Sequence, residues 1–139
     1  KFKLKNMKND CELISKKNKI NFNWNSKFPV NTLYIMRGYL FVEEIKKEEY
    51  LETFFNAYWQ DNIDLTSEEN ITKLLNNLSI DHKQFFKGIS KQEIKEELKN
   101  FTNDAFKKDI FGAPTFVVNN KIFWGQDRLE YAIEELNTN

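Results

Sequence analysis

Residue types that ordinarily carry catalysis are scarce in this chain. One cysteine, Cys11, excludes an internal disulfide, and one histidine, His82, excludes a metal site built on a histidine pair. Cys11 shares a helical stripe with Met7 and Ile14. It reads as a small, partly buried apolar residue, with a reactive thiol as the alternative. His82 follows Asp81 at a helix start and reads as a solvent-exposed surface histidine. No spacing suits a metal-ligand cluster, a dinucleotide-binding glycine loop, a P-loop or a nucleophile elbow. The densest local instruction lies instead between Asp109 and Leu129. There Gly112 makes a turn, and Pro114 fixes φ and removes a backbone donor just before a run of β-formers.

The elements around that stretch follow from periodicity. Thr115 to Val118 predicts one strand and Lys121 to Trp124 a second, joined by Asn119-Asn120, which tolerate the left-handed region of a two-residue hairpin. Gly125 ends the second strand. Gln126-Asp127 then opens an amphipathic helix with Leu129, Ile133 and Leu136 on one face. Upstream, Lys5 to Lys17 predicts a helix, and the alternation of Ile20, Phe22 and Trp24 predicts a half-buried strand over Lys19 to Trp24. Asn25 to Pro29 is a turn, in which Pro29 holds Phe28 extended.

Asn31 is suited to cap the next helix, which runs to about Glu44 and is apolar nearly all round, hence buried on most sides. Gly38 inside it predicts close contact with another backbone. Glu48 to Trp59 is the cleanest amphipathic helix. Its stripe of Tyr50, Phe54, Phe55, Tyr58 and Trp59 reads as core, with the wall of a substrate cleft as the alternative. Thr66-x-x-Glu69 and Ser90-x-x-Glu93 predict capping boxes, and Asp81 caps a short helix between them.

Composition sets the bounds. A chain of 139 residues suggests one domain, or one domain with an insertion. With 40% hydrophobic residues and 13 Phe, it can build a core. Lys+Arg 21 balances Asp+Glu 21, and no basic run is interleaved with aromatics, which argues against nucleic acid as a partner. No apolar run is long enough to span a bilayer, so no membrane partner is expected.

Turn, Pro, strand, hairpin, strand, Gly, helix is the C-terminal half of a thioredoxin-like fold. In such folds the proline before the third strand is cis, and the N–H and C=O of the residue ahead of it pair with an extended peptide. Here that residue is Ala113; an ordinary X-Pro entering a strand is the plainer alternative. The segments Phe111-Gly112-Ala113-Pro114-Thr115-Phe116-Val117 and Phe123-Trp124-Gly125-Gln126-Asp127-Arg128-Leu129 closely resemble the C-terminal signature of 2-hydroxychromene-2-carboxylate isomerases. That family sits with kappa-class glutathione transferases in the DsbA-like branch. Phe28-Pro29-Val30-Asn31-Thr32 with Met36-Arg37 resembles the family's entry to its helical insertion. Phe55-Asn56-Ala57-Tyr58-Trp59 with Ile63-Asp64-Leu65 resembles its mid-insertion motif.

The resemblance implies an α/β fold, mainly helical, of the DsbA-type thioredoxin class. Residues 1–24 and 108–139 would form its incomplete thioredoxin-like part and 25–107 its helical insertion. It implies glutathione as cofactor, with the cysteinyl unit on the backbone at Ala113 and Pro114 and the γ-glutamyl end at Gln126 and Asp127. A helix start offers unpaired N–H groups to a carboxylate, and the Asp127 side chain can take the glutamyl ammonium or simply cap the helix. Asn31 would orient glutathione or substrate, with a plain helix cap as its alternative role. Arg128 reads as a surface or salt-bridge residue.

The implied reaction is reversible thiolate addition to a conjugated aromatic enone, on a small aromatic electrophile, by a cytoplasmic homodimer. The family's activating Ser lies at the start of a first helix that this sequence does not contain. The visible chain is therefore expected to be N-terminally truncated, inactive alone, and left with an open hairpin edge that invites another chain. The competing expectations are a DsbA-like thiol-disulfide oxidoreductase, its Cys-x-x-Cys in the same absent segment, and a non-catalytic interaction domain. Gly125-Gln126-Asp127-Arg128 favours the glutathione-binding reading.

Overall fold

The structure, a computed structural model, describes residues 2–138; Lys1 and Asn139, the outer bounds of the expected thioredoxin-like part, lie outside the described residues. The helices are α1 (Phe2–Asn18), α2 (Leu33–Phe41), α3 (Lys47–Trp59), α4 (Glu68–Asn77), α5 (His82–Ile89) and α6 (Gln92–Lys107). Strands β1 (Thr115–Val118) and β2 (Lys121–Trp124) follow, then α7 (Leu129–Leu136). The chain divides into two compact units, residues 1–95 and 96–139, with α6 running across the division. No helix among the described residues is long and apolar enough to cross a membrane.

The first unit encloses a core of its own. Tyr50, Phe54 and Tyr58 of α3, Ile71 and Leu75 of α4, and Phe85 and Ile89 of α5 are all buried. The Tyr50 hydroxyl donates to the Ile35 carbonyl at 3.0 Å, which satisfies its one polar atom in that apolar setting. Gly38 of α2 faces aromatic side chains rather than the backbone expected for it: a Cβ there would run into the Tyr50 hydroxyl and the Phe85 ring. The close approach is of ring edges to a helix backbone.

Several sequence expectations are corrected here. Lys19 to Trp24 is not a strand: among the described residues the sheet is β1 with β2, and this segment does not join it. Its backbone partner is a helix end: Asn23 N–H donates to the Trp59 carbonyl at 2.6 Å. The alternation still has a cause. Phe22 stacks on Trp59 at 5.7 Å and Trp24 sits edge-on to it at 5.8 Å, while Ile20 stays 58% exposed. The next helix ends at Phe41, not near Glu44, and a 3-10 turn over Glu44–Lys46 follows. It is not covered all round, since Leu33, Tyr34 and Met36 are exposed.

Capping also moves by a residue or more. Ser67, not Thr66, caps α4 by accepting from Asn70 N–H, while the Thr66 hydroxyl donates to Asp64 Oδ1 at 2.6 Å. Ser90 makes no capping box. It closes α5, and its hydroxyl donates to the Phe86 carbonyl at 2.7 Å. Asp81 does cap α5, accepting from Lys83 and Gln84 N–H at 2.8 and 3.1 Å. His82 is half-buried, its Nδ1 facing Asn76 Oδ1 at 3.3 Å, rather than fully exposed. Cys11 is half-buried on α1.

The second unit is the hairpin and α7. β1 and β2 pair antiparallel with Thr115 opposite Trp124 and Val118 opposite Lys121. Asn119 and Asn120 both take positive φ, 50° and 61°, the pattern of a tight hairpin whose twist matches its strands. α7 packs on this two-stranded sheet through Ala132, which is 3% exposed. The expected inward face of Leu129, Ile133 and Leu136 is instead 44%, 50% and 62% exposed, because two strands of four residues are too narrow to cover it.

Candidate functional site

The second unit assembles its candidate residues through one backbone bond. Gly125 N–H donates to the Pro114 carbonyl at 3.0 Å and ties the Ala113-Pro114 turn to the start of the Gln126-Asp127 turn. The Ala113–Pro114 peptide bond is cis, as is Phe28–Pro29. Gly112 lies under the Trp124 indole, where a Cβ would come within 2.6 Å of Nε1. The Thr115 hydroxyl closes the turn by donating to the Gly112 carbonyl at 2.5 Å. Ala113 is exposed, and its N–H and C=O make no hydrogen bond among the described residues. Two free backbone groups on an extended segment are what a short stretch of peptide can pair with.

Gln126 and Asp127 do not begin the last α-helix. A 3-10 turn over Gln126–Arg128 precedes α7, and Arg128 occupies the cap position. Gly125 forces this arrangement. It adopts φ 108°, which L side chains rarely take, and a Cβ there would lie 2.6 Å from Asp127 Oδ1. The backbone N–H groups of Gln126 and Asp127 find no partner among the described residues, so the turn keeps donors for an anion. Asp127 Oδ2 lies 3.7 Å from Arg128 Nη2, an exposed pair, and the guanidinium also sits 5.5 Å over the Tyr131 ring. Arg128 is thus the salt-bridge residue that was expected. Ala113, Pro114, Gln126 and Asp127 are grouped in one unit, and the free backbone groups of Ala113, Gln126 and Asp127 suit a small peptide with a carboxylate end.

Asn31 belongs to the first unit. Its Oδ1 accepts from Leu33 N–H at 3.0 Å, although the formal cap of α2 is Thr32, whose own side chain makes no cap bond. The amide nitrogen of Asn31 is without a partner among the described residues. Capping and an orienting role are therefore compatible in one side chain.

The same unit holds an apolar cleft of about 430 Å³ between α2 and α3, in the size range of small-molecule sites. Its aromatic wall is Tyr39, Tyr50, Phe54, Phe55, Tyr58 and Trp59. The stripe on α3 therefore serves both of its sequence readings. Tyr50, Phe54 and Tyr58 are buried core on one side and cleft wall on the other, while Phe55 is 61% exposed. The Tyr58 hydroxyl is sealed from solvent without a hydrogen-bond partner among the described residues. Burial, and next to it the negative charge of Asp64, pushes its phenol above the usual tyrosine value.

Asn25 was not singled out in the sequence. It is 1% exposed and locks three backbone groups. Its Nδ2 donates to the carbonyls of Tyr58 and Ile63 at 2.9 and 3.0 Å, and its Oδ1 accepts from Lys27 N–H at 2.8 Å. It holds the C-terminal end of α3, and with it Tyr58 and Trp59, in place. Beside Pro29 it looks like an ordinary turn residue, and no local signal separates the two roles. Among the described residues no cluster of His, Cys, Asp or Glu is arranged to hold a metal ion.

Comparison with known proteins places this geometry in context. Residues 1–137 match the DSBA-like thioredoxin domain family. A 2-hydroxychromene-2-carboxylate isomerase from Pseudomonas sp. (strain C18) is 31% identical over 80 residues, 58% of this chain and 38% of that protein. One from Pseudomonas putida is 28% identical over 86 residues, 62% of this chain and 42% of that protein. The chain thus spans about two fifths of the length of these relatives. The solved structure of a selenomethionine 2-hydroxychromene-2-carboxylate isomerase superposes with a TM-score of 0.84 over 97% of this chain and 68% of that one, at 24% identity. At that identity the likeness speaks for the fold.

Proposed function

The chain belongs to the DSBA-like thioredoxin domain family, and on that premise we propose that it works in a glutathione-dependent isomerase resembling the 2-hydroxychromene-2-carboxylate isomerases. The observation that carries the reading is the joined pair of turns in the second unit. Ala113 offers a free N–H and C=O, and Gln126 and Asp127 offer free N–H groups, linked through Gly125 N–H and the Pro114 carbonyl. That set fits glutathione. The Ala113 backbone pairs with its central peptide, and the Gln126–Asp127 turn takes its γ-glutamyl carboxylate. The Asp127 carboxylate faces the glutamyl ammonium while Arg128 limits its swing. When bound, glutathione supplies nucleophilic thiol chemistry, reversible addition to a conjugated aromatic enone. The apolar cleft of the first unit suits an aromatic ring. The Asn31 amide, in the first unit, is the group offered to orient the substrate.

The test is a glutathione titration of the full chain followed by amide NMR shifts. Saturable shifts centred on Ala113, Thr115, Gln126 and Asp127 are expected, with Asp127→Ala weakening binding about tenfold, a loss of about 1.4 kcal/mol. Absence of saturation, or shifts centred elsewhere, would sink the reading.

A further inference from the structure

The Ala113 N–H is half of a planar peptide unit whose other half is the Gly112 carbonyl. That unit is trans. Its C=O and N–H therefore point in opposite directions, and whatever fixes one aims the other. Gly112 has no side chain to restrict its dihedrals, so the unit needs an anchor to keep one orientation. One anchor is present. The Thr115 hydroxyl donates to the Gly112 carbonyl at 2.5 Å, and no backbone N–H reaches that carbonyl among the described residues. The hold comes from a side chain at the start of β1.

The opposite strand braces the same unit. Thr115 pairs with Trp124. The Trp124 indole lies against Gly112, where an added Cβ would come within 2.6 Å of Nε1 and 3.3 Å of Cδ1. One register thus brings two restraints to one peptide unit: a donor on its oxygen and a ring on its α-carbon. Thr115 is also the first residue of a strand, a place that valine fills as well as threonine. What valine lacks is the donor.

We propose that Thr115 is a positioning residue whose hydroxyl, by holding the Gly112 carbonyl, aims the Ala113 N–H at the central peptide carbonyl of a bound ligand. That the ligand is glutathione rests on the reading in the preceding subsection; the aiming of the N–H does not. A ligand that meets a unit already aimed binds with its full affinity. One that meets a loose unit binds more weakly, in proportion to the population that has swung away.

The experiment compares the full chain with Thr115→Val and Thr115→Ser by amide NMR, first without ligand and then in a glutathione titration. Without ligand, the Ala113 N–H should have an order parameter of about 0.85 in the wild type and in Thr115→Ser, falling toward about 0.6 in Thr115→Val. With glutathione, Thr115→Val should bind about fivefold more weakly, within the range of one lost hydrogen bond. Thr115→Ser should recover most of that loss, which a merely structural role for the threonine methyl would not allow. The shifts at Gln126 and Asp127 should persist at saturation in all three proteins, because their N–H groups do not depend on the hydroxyl. Unchanged Val117 and Ile122 amides verify the hairpin; if Thr115→Val disturbs them, Thr115→Ala removes the same donor. The proposal fails if the Ala113 amide is equally ordered with and without the hydroxyl, or if Thr115→Ser binds no better than Thr115→Val. An Ala113 amide that loosens in Thr115→Val, in a chain that does not bind glutathione, would keep the positioning role and remove the glutathione reading. Glutathione binding that Thr115→Val leaves intact would do the reverse.

Discussion

In the first unit Tyr50, Leu75 and Phe85 are fully enclosed, with ten buried apolar residues forming one cluster; in the second, Ala132 is the one apolar side chain that is buried among the described residues. The second unit instead exposes Val117, Trp124, Leu129 and Ile133 by 44 to 54% each. The difference separates two jobs. The helical unit carries its own apolar burial, the dominant favourable term in folding, and has enough left to wall a cleft. The hairpin unit gains little from burial and is held by local backbone geometry: two positive-φ Asn residues, Gly125 and a four-pair ladder. That geometry is also what leaves the backbone of Ala113 and Gln126–Asp127 free to bind.

The contrast can be broken by mutation, beginning with the largest effect. Phe85→Ala empties the centre of the first unit and should cost about 3–5 kcal/mol in urea unfolding followed by far-ultraviolet circular dichroism. Trp124→Ala, at a side chain 54% exposed, should cost well under half of that; an equal loss would show that the second unit has a core of comparable weight. Asn25→Ala leaves the carbonyls of Tyr58 and Ile63 without their donor and should cost about 1–3 kcal/mol, with Trp59 fluorescence changing as the end of α3 loosens.

Gly125→Ala strains a left-handed backbone and pushes on Asp127, at about 1–2 kcal/mol. Its sharper readout is glutathione affinity, which should fall by more than the loss of stability alone would cause. A drop in stability with unchanged affinity would detach the turn from binding.

The smallest effect is electrostatic. The N–H groups of Gln84 and then Lys83 hold the Asp81 carboxyl below the usual aspartate value. A carboxyl with a lowered folded-state pKa stabilises fully above its unfolded value, about 3.9, and the gain is lost as pH falls through the folded value. Below pH 4 the wild type should therefore lose stability relative to its neutral-pH value more steeply than Asp81→Ala, which has no carboxyl there to protonate. Parallel pH profiles would remove the cap from the account of α5.

Legibility in the sequence followed the range of the interaction. The hairpin was read to the residue, since Asn119-Asn120 and the flanking β-formers set it within ten positions. The cap at Asp81 was equally local. The box expected at Thr66 does not form: its hydroxyl turns to Asp64 and the adjacent Ser67 takes the cap, a choice between neighbouring hydroxyls that a two-residue pattern does not make. The strand expected over Lys19 to Trp24 does not form, because alternation reports one buried face, not what buries it; here the partner is Trp59 at the end of a helix. Asn25 was missed because its three bonds reach up to 38 positions along the chain.

The candidate site divides in the same way. The turn at Gly112–Pro114, the break at Gly125 and the pairing of Gln126 with Asp127 are consequences of backbone preference and stand in the sequence alone. Which face of α3 is core and which is cleft was decided only in three dimensions, where α2 meets α3 and leaves a space beside Tyr58. So was the short turn that delays α7 and frees the N–H groups of Gln126 and Asp127. Local dihedral preferences act over a few residues and are written in residue type. Burial and free space arise from how distant surfaces meet, and no stretch of sequence contains them.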